Sequence, residues 1–424
     1  MKTRVFKFGG ASVRDADGIR NVASIIRDFG LSSFQVVVVS AMGKTTNALE
    51  ELLLQARNGD DFGPGFQKLR EAHLKVARDL FPVEEFRKNI ESDLEGYFDN
   101  LFRNLQNASG GPRGFHYDQV VCFGEYLSSY LLYSWLKSSG FSVFLQDAAE
   151  LIRTDETWRE GEVLLKESAR QVENVLIPQL GSGIVLTQGF IGGTENGHKT
   201  TLGREGSDYT AALLAYFLGS ESVSIWKDVP GVLSADPRWM PEAVLLPELS
   251  YQDAAELTFY GATVIHPKTI RPLAWKRIPL YVRSFLQPSE AGTCVGPDAG
   301  KQVQEAYIRK PGQVLVSLSS RDFSFMEEEN ITEVLHAFSC STLKMQMLQV
   351  SATSISIVTD WDEERLDQAF EQIKTKYSVL FNQNLTLITI QNPGEKAEGF
   401  LLNGKTAILV QRTRSTLQLL FSEN

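Results

Sequence analysis

The sequence has few cysteines and no long apolar run. Its three cysteines, Cys122, Cys294 and Cys340, are far apart and odd in number, which argues against a disulfide framework or a zinc site and favours reduced thiols. No apolar stretch approaches the ~18 residues that a membrane-spanning helix needs. The basic N-terminal residues are not followed by an apolar stretch of signal-peptide length. We therefore expect a cytoplasmic protein that does not span a membrane.

An excess of positive charge is also missing. The net charge of −10 argues against a nucleic acid or an anionic membrane as partner, although it leaves room for a local basic pocket. Apolar residues make up 43% of the chain and charged residues 22%, which is an ordinary globular composition. A length of 424 residues suits two domains, one of them large.

Strand and helix patterns alternate through the first two-thirds of the chain. Helical patterns occur over residues 19–29, 47–57 and 66–108. The strand-like segments are VFKF, QVVVVSA, YDQVVCF, FSVFL, GIVLTQGF, SVSIW and IPLYV. This alternation predicts an α/β fold with a mainly parallel central sheet covered by helices on both faces, a three-layer α/β/α sandwich.

The composition changes near residue 287. Residues 287–304 begin with QPSEAGTCVGPDAG, which is rich in proline, glycine and small polar residues and predicts a linker. Beyond it, QVLVSLSS, a helix over 328–338, LQVSATSISIVTD, a helix over 365–377 and LTLITIQN give a β-α-β-α-β order. This order predicts a small α+β, ferredoxin-like module, followed by two strands, TAILVQRT and LQLLF, with no helix between them.

Unusual residues follow several of the predicted strands. They are the segments KFGG at 7–10, SAMGKTTN at 40–47, GE at 124–125, TLGREGSD at 201–208 and WKDVPG at 226–231. In a parallel sheet, ligands bind beyond the carboxyl ends of the strands. Glycines at such turns let backbone N–H groups approach an anion, and a helix N-terminus adds partial positive charge. Together with Lys7, these features predict a site for phosphoryl transfer.

The order of the motifs carries a family resemblance. KFGGASV, VVVVSAMGKTTN, FGE, TLGREGSDYTAALLA, WKDVPGVLSADPR and FYGATVIHP resemble aspartate kinases of the amino acid kinase superfamily over residues 2–295. The tail resembles the ACT-type regulatory modules of that family. The resemblance implies a catalytic domain over 1–286, with its substrate side at about 1–200 and its nucleotide side at about 201–286. A linker over 287–304 and an ACT-type region over 305–424 follow, with a reduced second ACT copy.

The same resemblance implies an enzyme that phosphorylates L-aspartate with MgATP to give 4-phospho-L-aspartate. This is the first step towards lysine, threonine, methionine and isoleucine. Lys7 would stabilise the transferring phosphoryl group, Gly9 and Gly10 would donate backbone N–H groups to it, and Asp208 would orient Lys7. No general base is required, because a β-carboxylate is already ionised at neutral pH.

Further roles are carried over by the resemblance. Glu125 suits the substrate's ammonium group and Arg204 a carboxylate, with Thr46 and Ser207 as additional substrate contacts. The residues implied on the ATP side, besides Lys7, Gly9 and Gly10, are Ser40, Lys227, Asp228, Asp236, Arg238 and Thr263. Magnesium is expected to be bound through ATP phosphates and water, with no metal site made by the protein.

Three positions depart from the family pattern. Lys227 stands where WTDVPG is common, and Thr263 stands where FGAKVLHP has a lysine that reaches ATP. We hypothesise that the gained lysine compensates for the lost one. Glu205 replaces a glycine that is common in GRGGSD, and the sequence offers no account of it.

The ACT-type region implies a homodimer that forms through its sheets and an amino-acid effector, lysine or threonine. The short second copy leaves open whether the effector site is retained.

Two alternative functions remain. A sister kinase could act on glutamate, since one methylene in a pocket is worth only ~1–3 kcal/mol. Carbamate and UMP are disfavoured, because neither has an ammonium group for Glu125. The second alternative is an amino-acid sensor with a catalytically weak kinase domain; Lys7 and Asp208 argue against it, whereas Thr263 leaves it open.

Overall fold

The computed structural model describes residues 2–30, 34–261, 264–297, 304–322, 324–394 and 406–422. The chain divides into two compact units. The first comprises residues 1–232, 245–255 and 263–301, and the second comprises 233–244, 256–262 and 302–424. Two short segments inside the predicted catalytic domain, 233–244 and 256–262, therefore group with the second unit.

The elements of the first unit follow one another in a largely alternating order. They are β1 (Thr3–Phe8), α1 (Ala16–Gly30), β2 (Phe34–Val39), α2 (Thr45–Asn58), α3 (Gly63–Leu80), α4 (Glu84–Gln106), α5 (Arg113–Val121), α6 (Phe123–Ser138), β3 (Val143–Gln146), α7 (Ala148–Leu151), α8 (Leu165–Gln171), a π-helical turn (Val172–Leu176), α9 (Ile177–Leu180), β4 (Ile184–Gln188), β5 (Ile191–Gly193), β6 (Lys199–Thr201), α10 (Gly206–Leu218), β7 (Ser222–Lys227), β8 (Glu248–Ser250), α11 (Tyr251–Tyr260), α12 (Pro267–Trp275), β9 (Leu280–Ser284) and β10 (Thr293–Gly296). Helix α11 begins in this unit and ends in the second.

Eight of these strands form one sheet in the order β3-β4-β2-β1-β7-β9-β10-β8. The six strands from β3 to β9 run parallel, as the alternating sequence pattern predicts. In register, Phe8 of β1 pairs with Val39 of β2 and with Trp226 of β7, and Val39 pairs with Gln188 of β4. The loops after these four strands therefore begin side by side at one edge of the sheet.

Aromatic packing fixes the centre of this sheet. Trp226 is fully buried, and its ring stacks on Phe8 at a centroid distance of 6.1 Å and meets Phe6 edge-on at 5.9 Å. Such ring pairs contribute ~0.5–1.5 kcal/mol each beyond the area that they bury. The ends of β1 and β7 are thus held together directly beneath the glycine turn.

Two predictions for the first unit are wrong. YDQVVCF forms the end of α5 and the start of α6, not a strand. Its apolar residues continue at helical spacing into Leu127 and Leu131. Val120, Val121, Cys122 and Phe123 are all buried, so a short window imitates a strand. The predicted linker over 287–304 contains β10, which pairs with β9 and β8 and is held by the Thr293 hydroxyl, a donor to the Leu246 carbonyl at 2.7 Å.

The second unit is an antiparallel sheet with helices. Its elements are β11 (Ala306–Ser320), α13 (Glu328–Cys340), β12 (Met345–Val350), β13 (Ser354–Asp360), α14 (Glu363–Ile373), β14 (Tyr377–Gln391), β15 (Leu409–Arg412) and β16 (Thr416–Ser422). The sheet order is β12-β13-β11-β14-β16-β15. The first six elements form a β-α-β-β-α-β unit whose strand order is that of a ferredoxin-like module.

LQVSATSISIVTD was predicted as one strand and is a hairpin of β12 and β13. The Ser351 N–H donates to the Ser354 carbonyl at 2.8 Å and closes the turn. The two predicted C-terminal strands are present as β15 and β16, which extend the sheet beyond β14.

The predicted fold class is confirmed: a mainly parallel sheet with helices, followed by a small antiparallel α+β module. Within the described ranges, no helix is both long and apolar enough to cross a membrane.

Candidate active site

A cavity of about 750 Å³ lies at the carboxyl ends of β1, β2 and β7. The register of the three strands explains its position, because their last residues are neighbours. Nine residues that the sequence predicted for the site line this cavity: Lys7, Gly10, Ser40, Thr46, Glu125, Arg204, Ser207, Asp208 and Lys227.

Two lysines converge on one buried carboxylate in this cavity. The Lys7 ammonium lies 2.6 Å from Oδ1 of Asp208, and the Lys227 ammonium lies 3.3 Å from Oδ2. Lys227 also donates to the Val264 carbonyl. Burial alone would raise the pKa of Asp208, but the two ammonium groups outweigh it and hold the pKa below its usual range. Asp208 is therefore an ionised anchor for two cations, one from β1 and one from β7.

The glycine turn after β1 packs tightly against the loop after β2. The Gly10 carbonyl accepts the Gly43 N–H at 3.0 Å, and a Cβ on Gly10 would lie 2.6 Å from the Ala41 carbonyl oxygen. A side chain at Gly10 would therefore push the two loops apart. A Cβ on Gly9 would lie 3.7 Å from the Lys7 ammonium nitrogen, so Gly9 leaves the space beside that ammonium open. The turn keeps backbone and ammonium close enough to share one anion.

The N-terminus of α10 also lines the cavity. Gly206, Ser207 and Asp208 form its first turn, which carries the partial positive charge of the helix dipole into the cavity. Glu205 precedes this turn with a φ of +54°, a left-handed conformation that favours glycine. Burial raises the pKa of the Glu205 carboxyl, Asp208 raises it further, and Lys227, Lys7 and Arg204 lower it. Glu205 thus adds an acidic side chain close to the two lysines.

Glu125 lies in the first turn of α6, is almost fully buried and lines the cavity. Its Oε1 accepts the Ala41 N–H at 3.0 Å, whereas its buried Oε2 has no hydrogen-bond partner in the described part of the chain. Burial raises its pKa to about 8, although the Ala41 N–H and Lys7 act in the opposite direction. A buried carboxyl with one unused oxygen is suited to an incoming ammonium group.

The cavity also contains residues that the sequence did not single out, notably Tyr117, Arg159, Glu160 and Phe190. The Arg159 guanidinium lies over the Tyr117 ring, 4.4 Å from its centroid. Tyr117 falls in the segment that was wrongly predicted as a strand. Arg159 and Glu160 lie in a loop, TWREGE, that matches no phosphate- or metal-binding pattern, and only their place in the fold brings them here.

Among the described residues, four predicted nucleotide contacts are absent from the cavity lining: Gly9, Asp228, Asp236 and Arg238. Asp228 follows β7 and is exposed. Asp236 and Arg238 belong to the second unit, where they form an ion pair with each other. Thr263 lies outside the described residues. Their predicted roles therefore stay predictions.

Comparisons with known proteins identify the family of this chain. The model of the amino acid kinase family matches residues 2–284, which include the whole cavity lining. The chain belongs to the amino acid kinase family. One relative is lysine-sensitive aspartokinase 3 of Escherichia coli (strain K12). It is 30% identical to this chain over 357 residues, which are 84% of this chain and 78% of the relative.

Two solved structures of E. coli aspartokinase III resemble the amino acid kinase described above over nearly its whole length. One, in complex with aspartate and ADP (R-state), has a TM-score of 0.85 at 27% identity and covers 99% of this chain and 96% of its own. The other, in complex with lysine and aspartate (T-state), has a TM-score of 0.84 at 26% identity, with 100% and 96% covered. The similarity therefore includes the C-terminal module as well as the kinase sheet.

Proposed function

We propose that this chain is an aspartate kinase, which transfers the γ-phosphoryl group of ATP to the β-carboxylate of L-aspartate. The relatives are aspartokinases, and one solved structure holds aspartate together with ADP. The observation that carries the proposal is the pair of ammonium groups, Lys7 and Lys227, on the buried carboxylate of Asp208 at the N-terminus of α10.

The reaction needs positioning and charge neutralisation more than proton transfer. A β-carboxylate oxygen of aspartate attacks the γ-phosphorus, and the bond from that phosphorus to the oxygen shared with the β-phosphate breaks. ADP leaves with that electron pair, and no proton has to move. We propose that the Lys7 ammonium stays in contact with the phosphoryl group during transfer, while Asp208 holds this ammonium in place. The backbone N–H groups of Gly9 and Gly10 donate further hydrogen bonds to the same phosphoryl group.

Recognition of the amino acid uses both signs of charge. We assign the α-ammonium group to Glu125, whose Oε2 is buried and has no hydrogen-bond partner in the described chain. Arg204, Thr46 and Ser207, which all line the cavity, are proposed to bind a carboxylate of the substrate.

The proposed ATP-binding residues are supported by fewer observations than the proposed aspartate-binding residues. Ser40 and Lys227 line the cavity, and we propose both as phosphate contacts. Asp228, Asp236, Arg238 and Thr263 are proposed as further ATP contacts on the family resemblance alone.

Mg²⁺ is proposed to arrive with ATP. The described residues contain no group of three or more His, Cys, Asp or Glu side chains that could hold a metal ion, and the Asp208 carboxylate is already paired with two ammonium groups. The donor set thus suits an ion bound through phosphates and water. When bound, Mg²⁺ neutralises charge on the β- and γ-phosphates.

Regulation and assembly are proposed for the second unit. A lysine-sensitive relative and a lysine-bound solved structure support an amino-acid effector, lysine or threonine, at the ACT-type region. Strand β12 lies at the edge of its sheet, and an edge of this kind supports a homodimer formed through the sheets. Three free cysteines agree with the proposed cytoplasmic location.

The test is to trap the acyl phosphate with hydroxylamine in the presence of MgATP, with L-aspartate or L-glutamate as substrate and with or without lysine and threonine. We expect hydroxamate from aspartate, and none from a Lys7→Met variant that folds normally. Hydroxamate from glutamate alone would move the assignment to a glutamate kinase. Lysine binding without hydroxamate from either amino acid would support the sensor.

A further inference from the structure

We propose that this chain has a second ligand site, at the amino ends of β2, β3 and β4, which binds a free amino acid with a primary carboxamide side chain. The site is separate from the candidate active site and goes beyond the proposed function. Three features of the first unit support it: a cavity, a buried amide without a hydrogen-bond partner, and the charges around that amide.

A cavity of about 490 Å³ lies where three parallel strands of the sheet begin. Its lining includes Gln35 of β2, Ser142 just before β3 and Ile184 of β4. The active-site cavity lies at the carboxyl ends of the strands, and among the described residues the two cavities have no lining residue in common. A volume of this size is typical of small-molecule sites, which span ~300–1,000 Å³.

The side-chain amide of Gln35 indicates that this cavity receives a ligand. Gln35 is only 2% exposed, and neither its Oε1 nor its Nε2 has a hydrogen-bond partner in the described part of the chain. A Cβ on Gly30 would overlap this Oε1, so the amide occupies space that only a glycine at that position leaves free. A buried amide without partners costs free energy. A primary carboxamide on a ligand would satisfy it, because such a group offers a donor and an acceptor side by side in one plane.

The lining contains one cation and, among the described residues, no anion. The cation is Arg27, whose guanidinium lies over the ring of Phe141, 5.5 Å from the ring centroid. In the described part of the chain, no carboxylate lies within ion-pair distance of this guanidinium. An arginine on an aromatic face, without a carboxylate partner, is suited to binding the carboxylate of a ligand.

The carboxyl ends of three helical segments meet at the same cavity. Gly30 ends α1, Ser139 follows α6, and Leu180 ends the helical run that begins with α8. The C-terminus of a helix carries partial negative charge, which favours an ammonium group and disfavours a phosphate dianion. A zwitterionic amino acid therefore matches both signs of charge, with its carboxylate on Arg27 and its carboxamide on Gln35.

Asparagine and glutamine share this chemistry, and the experiment uses both. The full chain is titrated calorimetrically with L-asparagine, with L-glutamine and with L-leucine, which has the shape of asparagine but no amide. The variants are Gln35→Met and Arg27→Ala. Arg103→Ala is the matched control, because Arg103 is exposed in the last turn of α4, as Arg27 is in the last turn of α1, and lies outside the cavity lining.

We expect the wild-type protein to bind at least one of the two amides and not leucine. Gln35→Met and Arg27→Ala should each raise the Kd about 10-fold or more, and Arg103→Ala should match wild type. Glu125→Gln, which alters the active-site cavity, should also bind like wild type. Without ligand, the urea midpoint of Gln35→Met should be no lower than that of wild type, because the substitution removes a buried amide that lacks partners. The bound amide should raise the midpoint of wild type and leave that of Gln35→Met unchanged.

Three results would overturn the inference. The first is that the wild-type protein binds neither asparagine nor glutamine, or binds leucine equally well. The second is that Gln35→Met and Arg27→Ala keep the wild-type Kd. The third is that binding is lost in Glu125→Gln and kept in Gln35→Met, which would place the amino acid in the active-site cavity.

Discussion

Replacing Glu125 by glutamine tests the amino-acid site through its dependence on pH. Burial raises the pKa of Glu125 to about 8 in the free protein. At pH 7 a carboxyl with this pKa is roughly 90% neutral, yet the substrate's ammonium group needs the carboxylate. Binding of aspartate must then release a proton from Glu125, and kcat/KM for aspartate should rise about tenfold from pH 6 to pH 7 and level off above pH 8.

Glu125→Gln removes the ionisable group and keeps the shape of the side chain. We expect kcat/KM for aspartate at pH 8.5 to fall about 10- to 100-fold, since a hydrogen bond to a charged group contributes ~1.5–3 kcal/mol. The rise between pH 6 and pH 8 should disappear. Glu51→Gln, on the exposed face of α2, serves as the control and should keep the wild-type profile.

The same substitution predicts a stability change of defined sign. The folded pKa of about 8 lies above the ordinary value of 4.5, so the wild-type protein loses unfolding free energy as the pH rises from 4.5 to 8. The loss amounts to no more than ~5 kcal/mol. Chemical denaturation should show Glu125→Gln more stable than wild type at pH 9 and similar to it at pH 4. A flat wild-type rate profile, or equal stability of the two proteins at pH 9, would refute this reasoning.

Three further substitutions test the phosphate end of the cavity. Asp208→Asn leaves the two ammonium groups without their buried counterion. We expect the unfolding free energy measured by urea denaturation to drop by ~3–5 kcal/mol and turnover to be lost. Retained turnover would contradict the anchoring role of Asp208. Gly10→Ala places a Cβ 2.6 Å from a carbonyl oxygen, whereas the Cβ of Gly110→Ala would meet no atom within contact distance. Initial rates should fall about 100-fold in the first variant and stay unchanged in the second. Equal rates in the two variants would show that activity does not depend on the close packing of Gly10. Lys227→Ala should raise the KM for ATP more than the KM for aspartate, and an unchanged KM for ATP would exclude Lys227 from the nucleotide side.

Much of the fold could be predicted because its patterns are local. Strands β1, β2 and β7 are short apolar runs between turn residues, and their glycines and lysines come at the ends. The segment 117–123 was mistaken because its burial depends on helices that are distant in sequence. The hairpin of β12 and β13 was missed because ATS at 352–354 gives no strong turn signal.

Parts of the site depend on pairings that no motif contains. Lys7 and Lys227 meet the same carboxylate only because β1 and β7 are parallel neighbours in the sheet. Lys227 was expected near the nucleotide, but its ammonium contacts Asp208. The same ammonium lies close enough to Glu205 to lower the pKa of that carboxyl. The sequence alone offered no account of Glu205. The left-handed backbone of Arg159 is set by Asp118 and cannot be inferred from residue type.

The central claim is that the β-carboxylate of aspartate attacks the γ-phosphorus directly at the Lys7–Asp208 pair. It is tested by ³¹P NMR of the product formed from MgATP and L-aspartate with ¹⁸O in the β-carboxylate. We predict an acyl phosphate signal with the isotope shift of a bridging ¹⁸O in the wild-type enzyme and no such signal in Lys7→Met. An acyl phosphate without that shift, or inorganic phosphate as the sole new product, would contradict the account.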